Sequence, residues 1–233
     1  MRTIAGGEER RDALEAAALS NLAVRLRKYF ATVAAAYSFF FYGTVMASYW
    51  LAVAAISLLA EAEDNPVFWI SATAAMIPVI VLAGLLSVAA GPKTGSRTWR
   101  QKGWLAVLIY MLTFALAFPT AGALNPALAS VAWYPALAVA HLLIHLFIER
   151  EAYRRGEVAA RPFLVCGFSA LATTPPVFLA ALRNLVAGWM LALSLMLASY
   201  SAAAFVALKG ASRAFETRGE REGGELRGSP EGG

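Results

Sequence analysis

Between Asp64 and Glu149, and again between Glu157 and Glu216, the chain carries no acidic residue. Apolar runs of about 20 residues fill both gaps, the length needed to cross a hydrocarbon core roughly 30 Å thick. The composition agrees: 59% of residues are hydrophobic and 15% charged, where a soluble domain carries about a quarter charged residues. Mean hydropathy is +0.59. The expected fold is all-α, a polytopic membrane protein built as a bundle of six transmembrane helices.

The six spans are expected at 31–60, 66–90, 104–118, 126–148, 161–184 and 185–208. Pro66 suits the first turn of the second helix, and Asn125-Pro126 turns the chain into the fourth. Residues 1–30 read as a cytoplasmic arm or an amphipathic helix at the membrane surface, with Leu14, Ala18, Leu22, Arg25 and Tyr29 at helical spacing. Residues 31–208 form the membrane domain. Residues 209–233 are a charged, Gly-rich cytoplasmic tail whose composition after about Thr217 is that of disorder.

Charge placement orients the spans. Segments 1–30, 91–103, 149–161 and 209–233 hold 19 of the 20 basic residues. Only Arg183 falls on the other side, where Glu61, Glu63 and Asp64 also lie. The positive-inside rule then predicts a multi-pass cell-membrane protein with both termini cytoplasmic. The basic balance (pI ≈ 9.6) is topological, and no nucleic-acid partner is expected. Cys166 is the single cysteine, which excludes an intrachain disulfide.

The most irregular segment is 161–184, where Thr173-Thr174-Pro175-Pro176 interrupts an otherwise apolar run. Each proline removes a backbone donor and clashes with the preceding turn, so a regular helix must break there. In lipid the freed carbonyls need partners from hydroxyls, water or neighbouring helices. An earlier segment echoes it: Ser71-Ala72-x-Ala74-x3-Pro78-Val79 matches Ser169-Ala170-x-Ala172-x3-Pro176-Val177. Gly103-Trp104 and Gly188-Trp189 form a second pair. Spans 1–3 repeated as 4–6 would make a 3+3 inverted repeat, a pattern of transporter folds.

On the first span, Tyr37, Thr44 and Ser48 form one stripe, and Ser38, Tyr42 and Tyr49 the next. This polar arc is expected to face protein or water, with Phe39, Phe40, Met46 and Trp50 toward lipid. A solute path is expected along Ser38, Tyr42, Tyr49, Pro78, Ser169, Thr173, Thr174, Pro175 and Pro176.

Other constellations are thinner. His141, His145 and Glu149 fall at i, i+4 and i+8 on the fourth span, candidates for a metal site or proton path. The ordinary alternative is two imidazoles satisfied by backbone or water. Gly167-Phe168-Ser169-Ala170 has the Gly-x-Ser setting of a serine nucleophile. However, Ala170 replaces the final glycine and no oxyanion donors are visible, so Ser169 reads as a helix hydroxyl bonded one turn back. No Asp pair, His-Glu-x-x-His or phosphate-binding glycine loop occurs, no family's motif is matched, and neither a cofactor nor an enzymatic activity is expected. The function so indicated is a small permease, or permease subunit, for an uncharged or apolar solute. It would act as a homo-oligomer or with a partner subunit, such as a cytoplasmic ATPase contacting 91–103. The alternative is a non-catalytic accessory or assembly subunit of a larger membrane complex.

Overall fold

The computed structural model describes residues 5–62, 65–90 and 96–216, and every element among them is helical. In chain order these are α1 (Ala5–Leu59), α2 (Pro66–Ala90), α3 (Arg97–Leu124), α4 (Pro126–Val131), α5 (Trp133–Ile144), α6 (Arg150–Arg154), α7 (Pro162–Ala172), α8 (Thr174–Arg183) and α9 (Leu185–Glu216). One π-turn, His145–Glu149, joins α5 to α6. The tail expected after Thr217, the acidic pair Glu63 and Asp64, and residues 91–95 lie outside the described residues.

Three helices are each long and apolar enough to cross a membrane: Ala13–Leu59, Arg97–Leu124 and Leu185–Arg213. The pair Pro162–Ala172 and Thr174–Arg183, bent by 41°, can form a fourth crossing. The protein is therefore all-helical with three to four membrane-length spans by length and composition. The segment expected as the fourth span is subdivided at Ala132, and α2 contributes only Pro66–Pro78 as a shorter apolar helix.

The arm and the first span are one helix. At 1.5 Å per residue, the 55 residues of α1 extend roughly 80 Å. Its end is a Schellman cap with Glu61 in the left-handed position (φ 51°). Ala62 N–H donates to the Ser57 carbonyl at 2.9 Å and Glu61 N–H to Leu58 at 3.3 Å.

The core forms where α1 runs along α9 and α5 is held between α3 and α7. Close approach on α1 uses Ala36, Gly43 and Ala47, all inward. A Cβ on Gly43 would come within 2.5 Å of Tyr200 Cβ on α9. This corrects part of the expected orientation of the first span: Ser38, Tyr42 and Tyr49 face protein or cavity and Phe40 is exposed, as expected, but the Tyr37 and Ser48 side faces outward. Phe39 is buried with Gly43 and Ala47, while Tyr37 and Ser48 are exposed. The physical reason is that small side chains let two backbones approach, and that packing sets the rotation of a helix more strongly than a hydroxyl stripe. Within the arc, Ser38 donates to the Ala34 carbonyl of its own helix at 2.9 Å.

Candidate functional site

His141, on α5, is 1% exposed and meets four other helices. Ring centroids of Phe39 (α1), Tyr110 (α3), Phe163 (α7) and Tyr200 (α9) lie 5.9, 5.8, 5.5 and 5.4 Å from its own. Its Nδ1 is 2.6 Å from the Leu137 carbonyl. A carbonyl only accepts, so the ring proton sits on Nδ1 and Nε2 is an acceptor. Facing Nε2 are the hydroxyls of Tyr200 at 3.2 Å and Tyr110 at 3.4 Å.

This aromatic box closes one end of a row of cavities. The first, of ≈ 380 Å³, is bordered by Ser38, Tyr42, Tyr110, His141 and Tyr200. The second, of ≈ 410 Å³, shares Tyr42, Met46, Leu137 and Tyr200 with the first and adds Trp50, Trp133 and Trp189. A third, of ≈ 300 Å³, shares Ser130 and Trp189 with the second and reaches Asn184. No Asp, Glu, Lys or Arg borders any of the three. Trp189 is the hub of the middle stretch, with the rings of Trp50, Trp69 and Trp133 at 5.8, 5.9 and 5.8 Å.

His145 and Glu149 serve another purpose. The π-turn inserts one extra residue into the helix, with Arg150 N–H reaching back to the His145 carbonyl. His145 and Glu149 pair with each other, while the His141 ring is engaged by Leu137, Tyr110 and Tyr200, so the three do not converge on one point. No group of three metal-ligating side chains occurs among the described residues. Glu149, 2% exposed, accepts the amides of Phe163 at 3.0 Å and Leu164 at 3.2 Å, and His145 Nδ1 at 2.7 Å. It thus caps α7 from another helix, with its charge at the favourable end of the helix dipole. Burial pushes the Glu149 carboxyl above the usual carboxylate range, against the pull of the two amides and His145.

Glu157 does the same for α3. Gly156 takes the left-handed position (φ +70°) of a Schellman cap that ends α6, with Glu157 N–H on the Ala152 carbonyl at 2.9 Å. The turn aims the Glu157 carboxylate at Ser96, whose hydroxyl donates to it, and at Thr98 N–H at 2.9 Å. Burial acts to raise the Glu157 carboxyl, but the hydrogen bonds from Ser96 and Thr98 outweigh it and hold the group below the usual range. The segment expected as a 91–103 loop therefore becomes helix from Arg97. Thr98 is 1% exposed, and Lys102 pairs with Glu151. That ammonium lowers the Glu151 carboxyl. Ala159 N–H donates to Thr32 on α1 at 2.8 Å, and Ala160 abuts Gly210.

The proline break is present at Thr173. The threonine hydroxyls there bond back to the Ser169 and Ala170 carbonyls, not to those of Leu171 and Ala172, which lack helical donors because Pro175 and Pro176 have no N–H. Thr173 Oγ1 donates to the Ser169 carbonyl at 2.8 Å, so Tyr134, 2.7 Å away, is the donor to Thr173. Thr174 is buried and donates to the Ala170 carbonyl at 3.0 Å. Pro175 and Pro176 are exposed on the outer surface, as is Pro78 on α2. Ser169 donates to the Val165 carbonyl at 2.8 Å, one turn back. Tyr49 donates to the Ala72 carbonyl at 2.6 Å and fastens α2 to α1. Of the expected path residues, Ser38 and Tyr42 border the cavities, Tyr42 two of them.

The two segments of the internal echo differ in setting. α2 runs through Pro78 without a break in the helix and leans on α1, whereas α7 and α8 bend at Thr173 and pack on α5 and α9. Sequence reasoning missed Tyr110, Tyr200, Phe163, Trp133 and Glu157. The signal available for the tyrosines was their isolation, each a polar tip inside an otherwise apolar run.

The fold and the cavity row define a helical bundle with membrane-length spans around cavities that no charged side chain borders. Comparison with protein-family models, characterised proteins and solved structures gives no match.

Proposed function

We propose that this protein is a small multi-pass permease, or the membrane subunit of one, for an uncharged or apolar solute. The observation that carries the reading is the row of three adjoining cavities from His141 to Asn184, bordered by aromatic, aliphatic and hydroxyl side chains without a charge. A low-dielectric passage of this kind penalises ions heavily and favours neutral solutes. Six crossings in a cell membrane with both ends cytoplasmic fit the same picture. α2 and the α4–α5 pair would supply the two further spans, and the described parts of the basic segments 91–103, 149–161 and 209–233 lie at one end, beside Thr32 of α1. There Thr32, Thr98, Ala159 and Gly210 are joined directly or through Glu157. A 3+3 repeat remains part of the proposal through the sequence echo alone. Exposed Arg97 and Arg100 on the first turns of α3 suit contact with an acidic face of a partner such as an ATPase.

The test is efflux of a neutral fluorescent lipophile, Nile red, from proteoliposomes holding the full chain. Efflux faster than from protein-free vesicles, and slowed by Leu137→Trp in the wall shared by two cavities, supports a permease. Equal rates in all three preparations contradict it. The accessory-subunit reading draws on the projecting part of α1, where Leu14, Leu19 and Val24 are each more than 60% exposed.

A further inference from the structure

The imidazole of His141 offers one lone pair, and two hydroxyls stand over it. With the ring proton engaged by the Leu137 carbonyl, Nε2 accepts one O–H in good geometry. Tyr200 at 3.2 Å and Tyr110 at 3.4 Å both reach it. When one donates, the other keeps a proton with no acceptor among the described residues. Both rings border the first cavity.

A second, independent observation lies next door. The indole N–H of Trp133 is buried without an acceptor among the described residues, and its ring borders the second cavity. The hydroxyls of Ser38, Thr73 and Ser130 are different, since each donates to a carbonyl of its own helix. The joined cavities thus hold more donors than the protein can satisfy, within apolar walls that carry no charge. A buried donor without a partner is costly, and the complementary ligand brings an acceptor and no charge.

We propose that the joined cavities bind a neutral lipophile by its carbonyl oxygen, the chemistry shared by long-chain ketones, esters and quinones. The oxygen accepts the free hydroxyl of the Tyr110–Tyr200 pair, and the apolar body lies along Met46 and Leu137 toward Trp133 and Trp189. This rests on the reading that the cavities admit an apolar solute.

The experiment compares 2-tridecanone with tridecane, titrated into the full chain in nanodiscs and followed by tryptophan fluorescence. Infrared spectra of the ketone labelled with carbon-13 at the carbonyl are recorded in parallel. The ketone is expected to bind about tenfold more tightly than the alkane, the equivalent of one net hydrogen bond. Its carbonyl stretch should move to lower frequency on binding. Tyr110→Phe and Tyr200→Phe each remove the free proton while the remaining tyrosine still satisfies His141, so either variant alone should lose the preference. Equal binding of ketone and alkane overturns the carbonyl proposal and leaves the apolar-solute reading intact. Binding of neither removes both. A preference that survives both tyrosine variants overturns the assignment to this pair, and an unshifted carbonyl band does so in the parent protein without any variant.

Discussion

The two ends of the bundle close their helices differently. At the end where the basic segments meet, α3 and α7 begin on carboxylates supplied from distant positions, Glu157 for Thr98 and Glu149 for Phe163 and Leu164. At the opposite end each helix begins on its own asparagine. Asn65 accepts from Val67 at 3.0 Å, Asn125 from Ala127 at 2.8 Å and Asn184 from Ala187 at 2.9 Å. Asparagine caps hold one helix start apiece. The carboxylate caps tie helix to helix, and with Thr32 and the Lys102–Glu151 pair they bind α1, α3, α6 and α7 into one unit. The cavities run away from that unit, toward the tryptophans and Asn184. One end is cross-linked by polar contacts between helices, and at the other the caps stay within single helices.

The contrast is open to direct attack, beginning with its largest expected effect. Glu149→Ala leaves two buried amides and His145 without their acceptor, and should cost about 3 kcal/mol of stability. Thermal unfolding in detergent measures this. The double variant Tyr110→Phe/Tyr200→Phe strips His141 Nε2 of every donor, whereas each single variant leaves one. The pair should therefore cost about 2 kcal/mol more than the sum of the singles, the price of an unsatisfied buried acceptor. Additive costs would mean that the two hydroxyls do not share one lone pair. Asn184→Ala at the opposite end should cost about 1 kcal/mol, the ordinary value of a local cap. If it matches Glu149→Ala, the two ends do not differ. Smallest is Lys102→Ala, whose half-exposed partner Glu151 also pairs with Arg155. The unfolding midpoint should stay where it is.

Much of the scaffold was readable because it depends on local chemistry. Pro66, Asn125-Pro126, Asn184 and the Thr173–Pro176 break mark ends and bends wherever they occur, and the structure breaks the chain at each. The rotation of α1 was readable only in part, since the Ser38, Tyr42 and Tyr49 stripe does face protein while Phe39 is buried and Tyr37 exposed. It depends on the close approach of Gly43 to Tyr200, two residues 157 positions apart, and the Gly43-x3-Ala47 spacing is common in any alanine-rich helix. The site was harder still. A histidine with ordinary spacing to His145 and Glu149 looks like one member of a helical row. A π-turn, which has no sequence signature here, separates it from Glu149, and the rings around it come from four other helices. Glu157 likewise sits in a charged loop with no local sign that it caps a helix nearly 60 residues earlier.

The central claim is an accessible, uncharged passage inside the bundle, and thiol reactivity measures it most directly. In a Cys166→Ala background, single cysteines replace Ser38 in the first cavity, Ser130 between the second and third, and Ala138, fully buried in packed core. A small neutral maleimide is applied to the membrane-embedded protein, and a charged methanethiosulfonate of similar size serves as comparison. The account predicts that the neutral reagent modifies the cysteines at 38 and 130 at least tenfold faster than the one at 138, about the ratio that one hydrogen bond's worth of access energy produces, and that the charged reagent shows no such preference. Equal and slow reaction at all three positions would mean a bundle packed solid, and would contradict it.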